Sequence, residues 1–239
     1  MNTAYHRLNV ETYVKKFCGW EPLEEMLKYT ERERDTFFFA SLIKTGGRAT
    51  EVLGLTKQNF IIDDSFVVVT NMQLEKHYMK IPNPLPGQKT TEKIYAIRND
   101  FSMPIKEPLS KELIHGIELA KEDILFPSPY KRDTPKPISR IRMYQLIRQL
   151  NDKLPAQLRK ELGLTVPFMN HTRTEKISNE IHLWLHWARS QRASQLAGEY
   201  NFSEGDLLEW FGWKDIKTAT RYAHKGYAKL GAKMLSSLS

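Results

Sequence analysis

The stretch LLEWFGWKDIKTATRYAHKGY, residues 207–227, places Trp213 and Tyr222 nine positions apart, with Arg221 beside the tyrosine. Taken alone, such residues are usually a core tryptophan and a packed tyrosine. They also fit a hydrogen-bond donor and a nucleophile acting on one anionic group, because an indole N–H donates and a phenol oxygen can attack. The rest of the chain decides between these interpretations.

The composition favours an anionic partner. The 239 residues include 36 Lys and Arg against 28 Asp and Glu, which gives a net charge of +8. Such an excess favours polyanions such as nucleic acid, although many basic proteins bind none. The single cysteine, Cys18, excludes an intramolecular disulfide and a cysteine-based metal site.

The hydrophobic segments are short. No apolar run approaches the roughly 20 residues that cross a bilayer, and the N terminus lacks the basic start and apolar core of a signal peptide. We therefore expect a soluble, cytoplasmic protein, associated with the nucleoid if the source is prokaryotic.

The local patterns predict an α+β protein, mainly α-helical with a small antiparallel β-sheet. We expect residues 1–20 to form an arm or short helix and residues 21–239 to form one domain. The β-branched run FVVVT predicts a strand at 66–70, and returning strands are expected at 93–97 and 101–105. Helices are expected at 21–30, 34–47, 48–55, 109–122 and 140–154, an irregular segment at 155–170, and mostly helices from 172 onward.

Four patches share an order and character: TGGRATEVLGL (45–55), VVVTNMQLEKHY (67–78), HWARSQRASQLA (186–197) and FGWKDIKTATRYAH (211–224). Together they resemble the tyrosine recombinase (phage integrase) family. That family has an arginine after a TG turn, a hairpin lysine, His-x-x-Arg on a later helix, then Gly-His or Gly-Trp, and a tyrosine nine residues further on. Each motif alone is weak, but all four in order make chance an unlikely source of the match.

The resemblance covers about residues 20–239 and assigns roles residue by residue. It implies that Tyr222 is the nucleophile and forms a 3′-phosphotyrosine, so that rejoining needs no ATP. The remaining catalytic residues that it implies are Arg48, Lys76, His186, Arg189 and Trp213.

These residue types suit the chemistry. Two permanently charged guanidinium groups, on Arg48 and Arg189, match the extra charge of the phosphoryl transition state. A lysine can protonate the leaving 5′ oxygen, and His186 would bond the phosphate or accept the tyrosine proton. Trp213 can donate but cannot accept a proton. Glu51 is expected to orient Arg48 or the histidine, and the scheme needs no metal ion or other cofactor.

Two assignments have rivals. Lys76 follows the predicted strand directly, but Lys80, Lys89 and Lys93 lie in the same long hairpin. The segment NHTR (170–173) also offers a His and an Arg, at a spacing of two rather than three. We therefore assign the motif to residues 186–189 and interpret His171 and Arg173 as DNA contacts or, alternatively, as surface residues.

The predicted partner is double-stranded DNA. The helix at 140–154 carries Arg140, Arg142 and Gln145, which we expect to contact DNA; a solvated basic face is the alternative. The family implies a homotetramer in which a C-terminal segment, here 225–239, docks on a neighbouring protomer. The family usually carries a separate N-terminal DNA-clamping domain, whereas about 20 residues precede the matching region here, so we expect a bare catalytic domain: a natural minimal recombinase, a fragment or the product of a split gene.

The expected function is site-specific DNA recombination or integration, as in mobile elements. A type IB topoisomerase-like protein would share the chemistry but act as a monomer, so a strictly monomeric complex that relaxes plasmids would favour that alternative. A non-catalytic DNA-binding relative is the third candidate, and in that case removing the Tyr222 hydroxyl would change nothing.

Overall fold

The computed structural model describes residues 17–74, 78–80, 86, 88, 91–93, 96–120, 123–128, 136–169, 176–180 and 185–223, with the backbone alone at 78–80, 91–93, 140, 165–169, 176–180 and 185. The predicted arm at 1–20 lies mostly outside this set. So do Lys76, Lys89, His171, Arg173 and the segment from His224 to the C terminus.

The described part of the chain is mainly helical, with short antiparallel strands, which confirms the predicted α+β class. The helices are α1 (Trp20–Leu27), α2 (Glu33–Thr45), α3 (Ala49–Leu53), α4 (Ser110–Leu119), α5 (Arg140–Lys153), α6 (Ala156–Glu161), α7 (Leu185–Gly198), α8 (Glu204–Phe211) and α9 (Ile216–Thr220). The strands are β1 (Phe60–Ile62), β2 (Phe66–Val69), β3 (Gln73–Leu74), β4 (Tyr78–Lys80), β5 (Thr91–Lys93), β6 (Ala96–Ile97), β7 (Phe101–Pro104), β8 (Thr165–Met169) and β9 (Lys176–Glu180).

The strands β2 to β7 form one extended hairpin in three ladders. Val69 pairs with Phe101, Gln73 with Ile97 and Tyr78 with Lys93, all antiparallel. The ladders therefore join the same two chain segments, as the sequence predicted, and β1 adds a third strand beside β2. Of the lysine candidates, Lys80 and Lys93 lie in β4 and β5, described by their backbone alone, and Lys76 and Lys89 lie outside the described residues.

Helix α2 is the centre of the core. Its run FFFASLI is buried on every side, as expected for a helix covered by neighbours all round. It packs against α4 and α7, and Phe37 stacks on Phe126 at 4.8 Å between ring centroids. The helix ends at Gly46, whose φ of 58° is left-handed, a conformation that favours glycine.

The prediction that residues 155–170 are irregular is wrong, because they contain α6 and β8. The two prolines that suggested irregularity occupy tolerated positions. Pro155 precedes the first turn of α6, where its fixed φ suits a helix start. Pro167 lies in a two-stranded ladder opposite Ser178, and edge positions accept a residue without an N–H donor. The strand β9 likewise interrupts the helices expected from 172 onward.

A buried ionic cluster links α2 to α7 through Glu107. The Glu107 carboxylate is 1% exposed and accepts hydrogen bonds from Lys44, Arg192, Gln195 and Tyr200. Burial and the charge of Arg192, opposed by Glu107, lower the pKa of Lys44 to about 8. The cluster therefore keeps two cations inside the protein on a single carboxylate.

We expect Glu107→Gln to lower the free energy of unfolding by about 3 kcal/mol, because it leaves two buried cations without a counter-charge. Denaturant unfolding at neutral pH measures the effect. The matched control is Glu199→Gln, because Glu199 is exposed and bonds the same Gln195 side chain. Equal stabilities of the two variants would show that the cluster does not depend on the Glu107 charge.

Candidate active site

Arg48 stands at the N terminus of α3, held by a residue one turn ahead. Its backbone N–H donates to Glu51 Oε2 at 2.7 Å, and its Nη1 donates to Glu51 Oε1 at 2.5 Å. The Glu51 carboxylate thus fixes both the start of the helix and the direction of the guanidinium. The Arg48 side chain remains 29% exposed, so part of it faces solvent.

Arg189 lies on α7 and points into the protein, where it is 1% exposed. Its Nη1 donates to the carbonyl oxygen of Gly46 at 2.9 Å, and its Nη2 donates to that of Phe211 at 3.0 Å. Burial outweighs the attraction of Glu51 and lowers the Arg189 pKa to about 10, which still leaves the side chain charged at neutral pH. Within the described residues its Nε has no hydrogen-bond partner.

Glu51 couples the two arginines. Its Oε2 lies 3.4 Å from Arg189 Nη1, while its Oε1 binds Arg48, and the carboxylate itself is fully buried. Burial alone would raise the Glu51 pKa, but the charge of Arg189 and the hydrogen bond from the Arg48 backbone outweigh it and hold the pKa below its usual range. The predicted orienting role is thus expressed in contacts to both arginines.

The nine-residue step from Trp213 to Tyr222 is a tight return of the chain. Helix α8 ends at Gly212, which has a left-handed φ of 61°, and Asp215 caps the short α9 by accepting from Lys217 N at 2.9 Å. Tyr222 lies two residues after the end of α9, and its ring stacks on that of Trp213. The centroids lie 5.6 Å apart with planes 21° apart.

Three aromatic rings form a stack beneath this site. Phe211 stacks on Trp213 at 4.5 Å, and Trp213 stacks on Tyr222. The Arg189 guanidinium carbon lies 4.7 Å from the Phe211 ring centroid, within cation–π range. A side chain at Gly46 would collide with Phe211, since an added Cβ would come within 2.5 Å of its ring. Gly46 is therefore needed for this packing as well as for its backbone conformation.

The Tyr222 hydroxyl contacts α7 at Ser190, the residue that follows Arg189. Its oxygen is 3.2 Å from Ser190 Oγ, and the tyrosine side chain is half-buried. His186 lies one turn earlier on α7 with an exposed side chain, and its carbonyl oxygen accepts from the Ser190 hydroxyl at 3.2 Å. The structure therefore brings Arg48, Glu51, Arg189, Trp213 and Tyr222 together, with His186 at the rim.

No protein-family model and no curated protein matches this sequence. Solved structures match its fold. The Tn1549 transposon integrase in complex with circular intermediate DNA matches at a TM-score of 0.52 and 16% identity, over 91% of this chain and 65% of that one. XerA recombinase matches at 0.50 and 14%, over 92% and 62%. The XerH site-specific recombinase, in its post-cleavage complex with palindromic difH substrate, matches at 0.50 and 16%, over 92% and 53%.

The chain has the fold of a tyrosine recombinase catalytic domain. It spans between 53% and 65% of the length of these three chains. Within the recombinase fold, the residues that the sequence assigned to catalysis occupy one site wherever they are described.

Helix α5 of the recombinase fold is the predicted DNA-contact helix. Ser139 caps it, accepting from Arg142 N at 3.2 Å. Arg142 Nη1 donates to Gln145 Oε1 at 3.2 Å, so the two side chains share a face of the helix. The side chain of Arg140 lies outside the described atoms.

Three contributors to the site were missed by sequence reasoning: Arg98, Ser190 and Phe211. Arg98 is 1% exposed, donates to the Thr45 carbonyl oxygen at 3.0 Å and lies 3.7 Å from the Phe101 ring centroid. Burial and the nearby Arg189 hold its pKa well below the usual value. Nothing in the local sequence IRND distinguishes this arginine from a surface residue in a turn.

In the part of the chain that the structure describes, no helix is long and apolar enough to cross a membrane. The same residues include no group of three or more His, Cys, Asp and Glu side chains that could hold a metal ion.

Proposed function

We propose that this protein is a tyrosine-type site-specific recombinase or integrase that cleaves and rejoins double-stranded DNA. The observation that carries the proposal is the position of the Tyr222 hydroxyl. It lies 3.2 Å from Oγ of Ser190, the residue after Arg189, and its ring stacks on Trp213, whose ring centroid is 5.5 Å from the Arg189 guanidinium carbon. A phenol that stacks near one guanidinium, itself coupled to a second through Glu51, suits nucleophilic attack on an anionic phosphodiester.

In the proposed step, the Tyr222 oxygen forms a bond to phosphorus and the bond from phosphorus to the 5′ oxygen breaks. The phenol proton passes to an acceptor, for which His186 is the candidate. The 5′ oxygen takes a proton from a hairpin lysine, for which Lys76 remains the first choice. One phosphodiester replaces another, so the reverse step rejoins the strand without ATP.

The two arginines have different parts in this scheme. Arg48 is partly exposed and is the one we assign to direct contact with the phosphate. Arg189 is enclosed, and we assign it to stabilising the negatively charged phosphate through its own positive charge. In a site that excludes water, such fixed charges stabilise a transition state more strongly than in solution.

Covalent capture tests the proposal. The full chain is incubated with nicked or gapped DNA fragments from the source genome and run on a denaturing gel. We expect a denaturation-resistant adduct, and digestion followed by mass spectrometry should locate the DNA-linked peptide at Tyr222. DNA binding without any adduct across broad pools, or an adduct at another residue, would contradict the proposal.

Assembly and context complete the proposal. We propose that the protein acts on DNA as a homotetramer, joined through segment 225–239, and that it serves a mobile element. Both parts rest on the family resemblance. Segment 225–239 lies outside the described residues. Sequencing of captured DNA would show whether the sites are element ends.

Helix α5 provides a test of DNA contact. We expect Arg142→Ala to weaken DNA binding and to lower the slope of log affinity against log salt by about one, because one phosphate contact is lost. Lys111→Ala, which removes an exposed cation on α4, is the matched control. Fluorescence anisotropy at several salt concentrations measures both, and equal slopes would place the α5 surface off the DNA.

A further inference from the structure

We propose that Ser190 is a positioning residue for the nucleophile, holding the Tyr222 hydroxyl on α7 in the orientation from which it attacks. This inference rests on the proposed function and extends it to a residue to which the family resemblance gives no role. Ser190 lies on α7 directly after Arg189 and is 2% exposed. Ser190 is therefore a buried polar residue of the site and not a surface residue.

The serine hydroxyl contacts two oxygen atoms at hydrogen-bond distance. Its Oγ lies 3.2 Å from the Tyr222 hydroxyl and 3.2 Å from the carbonyl oxygen of His186, one turn earlier on α7. A hydroxyl has a single proton to donate, and a carbonyl oxygen can only accept. The serine proton is therefore committed to His186, and the Tyr222 hydroxyl donates to Ser190 Oγ.

This arrangement holds the tyrosine at two points. Stacking on Trp213 restrains the plane of the ring, while the bond to Ser190 restrains the direction of the hydroxyl within that plane. The side chain of a half-buried tyrosine otherwise retains rotational freedom about its first torsion, and losing it costs entropy at the moment of reaction. The serine removes part of that cost before DNA is cleaved.

The same geometry excludes Ser190 as a proton acceptor in the reaction. A proton passed to the serine would have to continue to the His186 carbonyl, which is not a base at neutral pH. The tyrosine proton must therefore leave toward another group, and its bond to Ser190 breaks at that point. Ser190 contributes orientation alone, which limits its effect to the free energy of about one hydrogen bond.

The experiment compares single-turnover adduct formation at saturating DNA. We expect Ser190→Ala to slow this rate about three- to tenfold, the equivalent of one hydrogen bond, with DNA affinity unchanged. Ser190→Thr keeps the hydroxyl and its bond to the preceding turn, and we expect it to restore most of the rate. The matched control is Ser194→Ala, because Ser194 is also buried on α7 but its hydroxyl has no hydrogen-bond partner among the described residues.

A spectroscopic measurement separates positioning from general damage to the fold. With 3-fluorotyrosine at position 222, we expect the ¹⁹F resonance of Ser190→Ala to shift toward its position in the unfolded chain. The resonances of Ser194→Ala and Ser190→Thr should stay near that of the unsubstituted protein. Thermal unfolding of each variant verifies that the comparison is made on folded protein.

The outcomes are distinguishable. No adduct from the unsubstituted protein overturns the proposed function and this inference with it. An adduct that Ser190→Ala forms at the unsubstituted rate, with an unshifted resonance, overturns the inference alone. Equal slowing by Ser190→Ala and Ser194→Ala also overturns it, because the effect then belongs to the packing of α7.

Discussion

Tyr222→Phe is expected to abolish the covalent protein–DNA adduct completely while leaving DNA binding intact. The substitution removes one oxygen atom, which is the proposed nucleophile. The other two rings of the stack, Phe211 and Trp213, carry no oxygen that could replace it. Denaturing gels at long incubation times measure the residual adduct, and anisotropy measures binding.

The substitution should disturb the fold little. The phenylalanine ring retains the stack on Trp213, and the lost contact to Ser190 is a single hydrogen bond, worth about 1 kcal/mol. Loss of the adduct can then be assigned to chemistry rather than to unfolding. The unfolding midpoint should confirm this by moving only slightly.

Tyr200→Phe is the matched control. The Tyr200 hydroxyl also makes a side-chain hydrogen bond, to Glu107 at 2.9 Å, but it belongs to the buried ionic cluster and not to the site. We expect this variant to form the adduct at the unsubstituted rate. If Tyr222→Phe instead behaved like Tyr200→Phe in every assay, the chain would be a DNA-binding relative without catalysis.

The sequence predicted those parts of the molecule that depend on local patterns. Apolar runs indicated the buried helix α2 and the strands of the long hairpin, because periodicity and β-branching are local signals. The positions of Arg48, Arg189, Trp213 and Tyr222 followed from spacing within a family pattern. Their proximity in space depends on the fold. The turn at Gly212 and the short helix α9 bring Tyr222 against Trp213.

The features that escaped prediction depend on contacts between distant segments. Glu107 binds side chains from α2 and α7 across 63 and 85 positions of sequence, so no local pattern marks it as buried. Arg98 has the composition of a turn residue yet lies in the core. Ser190 matters only because Tyr222 returns over α7, and residues 155–170 contain prolines at positions where regular elements tolerate them.

The Glu51 contacts imply that the two arginines depend on one carboxylate. A buried guanidinium that loses its counter-charge retains a large desolvation cost. Arg189 is in that position, because its other polar contacts are neutral carbonyl oxygens. Arg48 depends on Glu51 differently, since the carboxylate sets the direction of a side chain that otherwise extends into solvent.

Glu51→Gln is therefore expected to damage stability and catalysis together. We expect the free energy of unfolding to fall by about 3 kcal/mol, as for other broken buried pairs. Misplacement of both guanidinium groups by a fraction of an ångström to an ångström should slow adduct formation roughly 100-fold or more. Glu51→Asp keeps the charge on a shorter side chain, so its stability and adduct rate should lie between those of the unsubstituted protein and Glu51→Gln. Glu24→Gln, at an exposed position, is the control.

The pH dependence of this stability difference identifies its electrostatic origin. The folded Glu51 pKa is held below the ordinary carboxyl value, so the unfolded chain binds more protons as the pH falls below about 4.3. The stability that the charge contributes is thus complete above that pH and is lost as the pH falls toward the folded pKa. Unfolding curves of the unsubstituted protein and Glu51→Gln should converge in that acid range, whereas a difference that is constant with pH would assign the effect to packing alone.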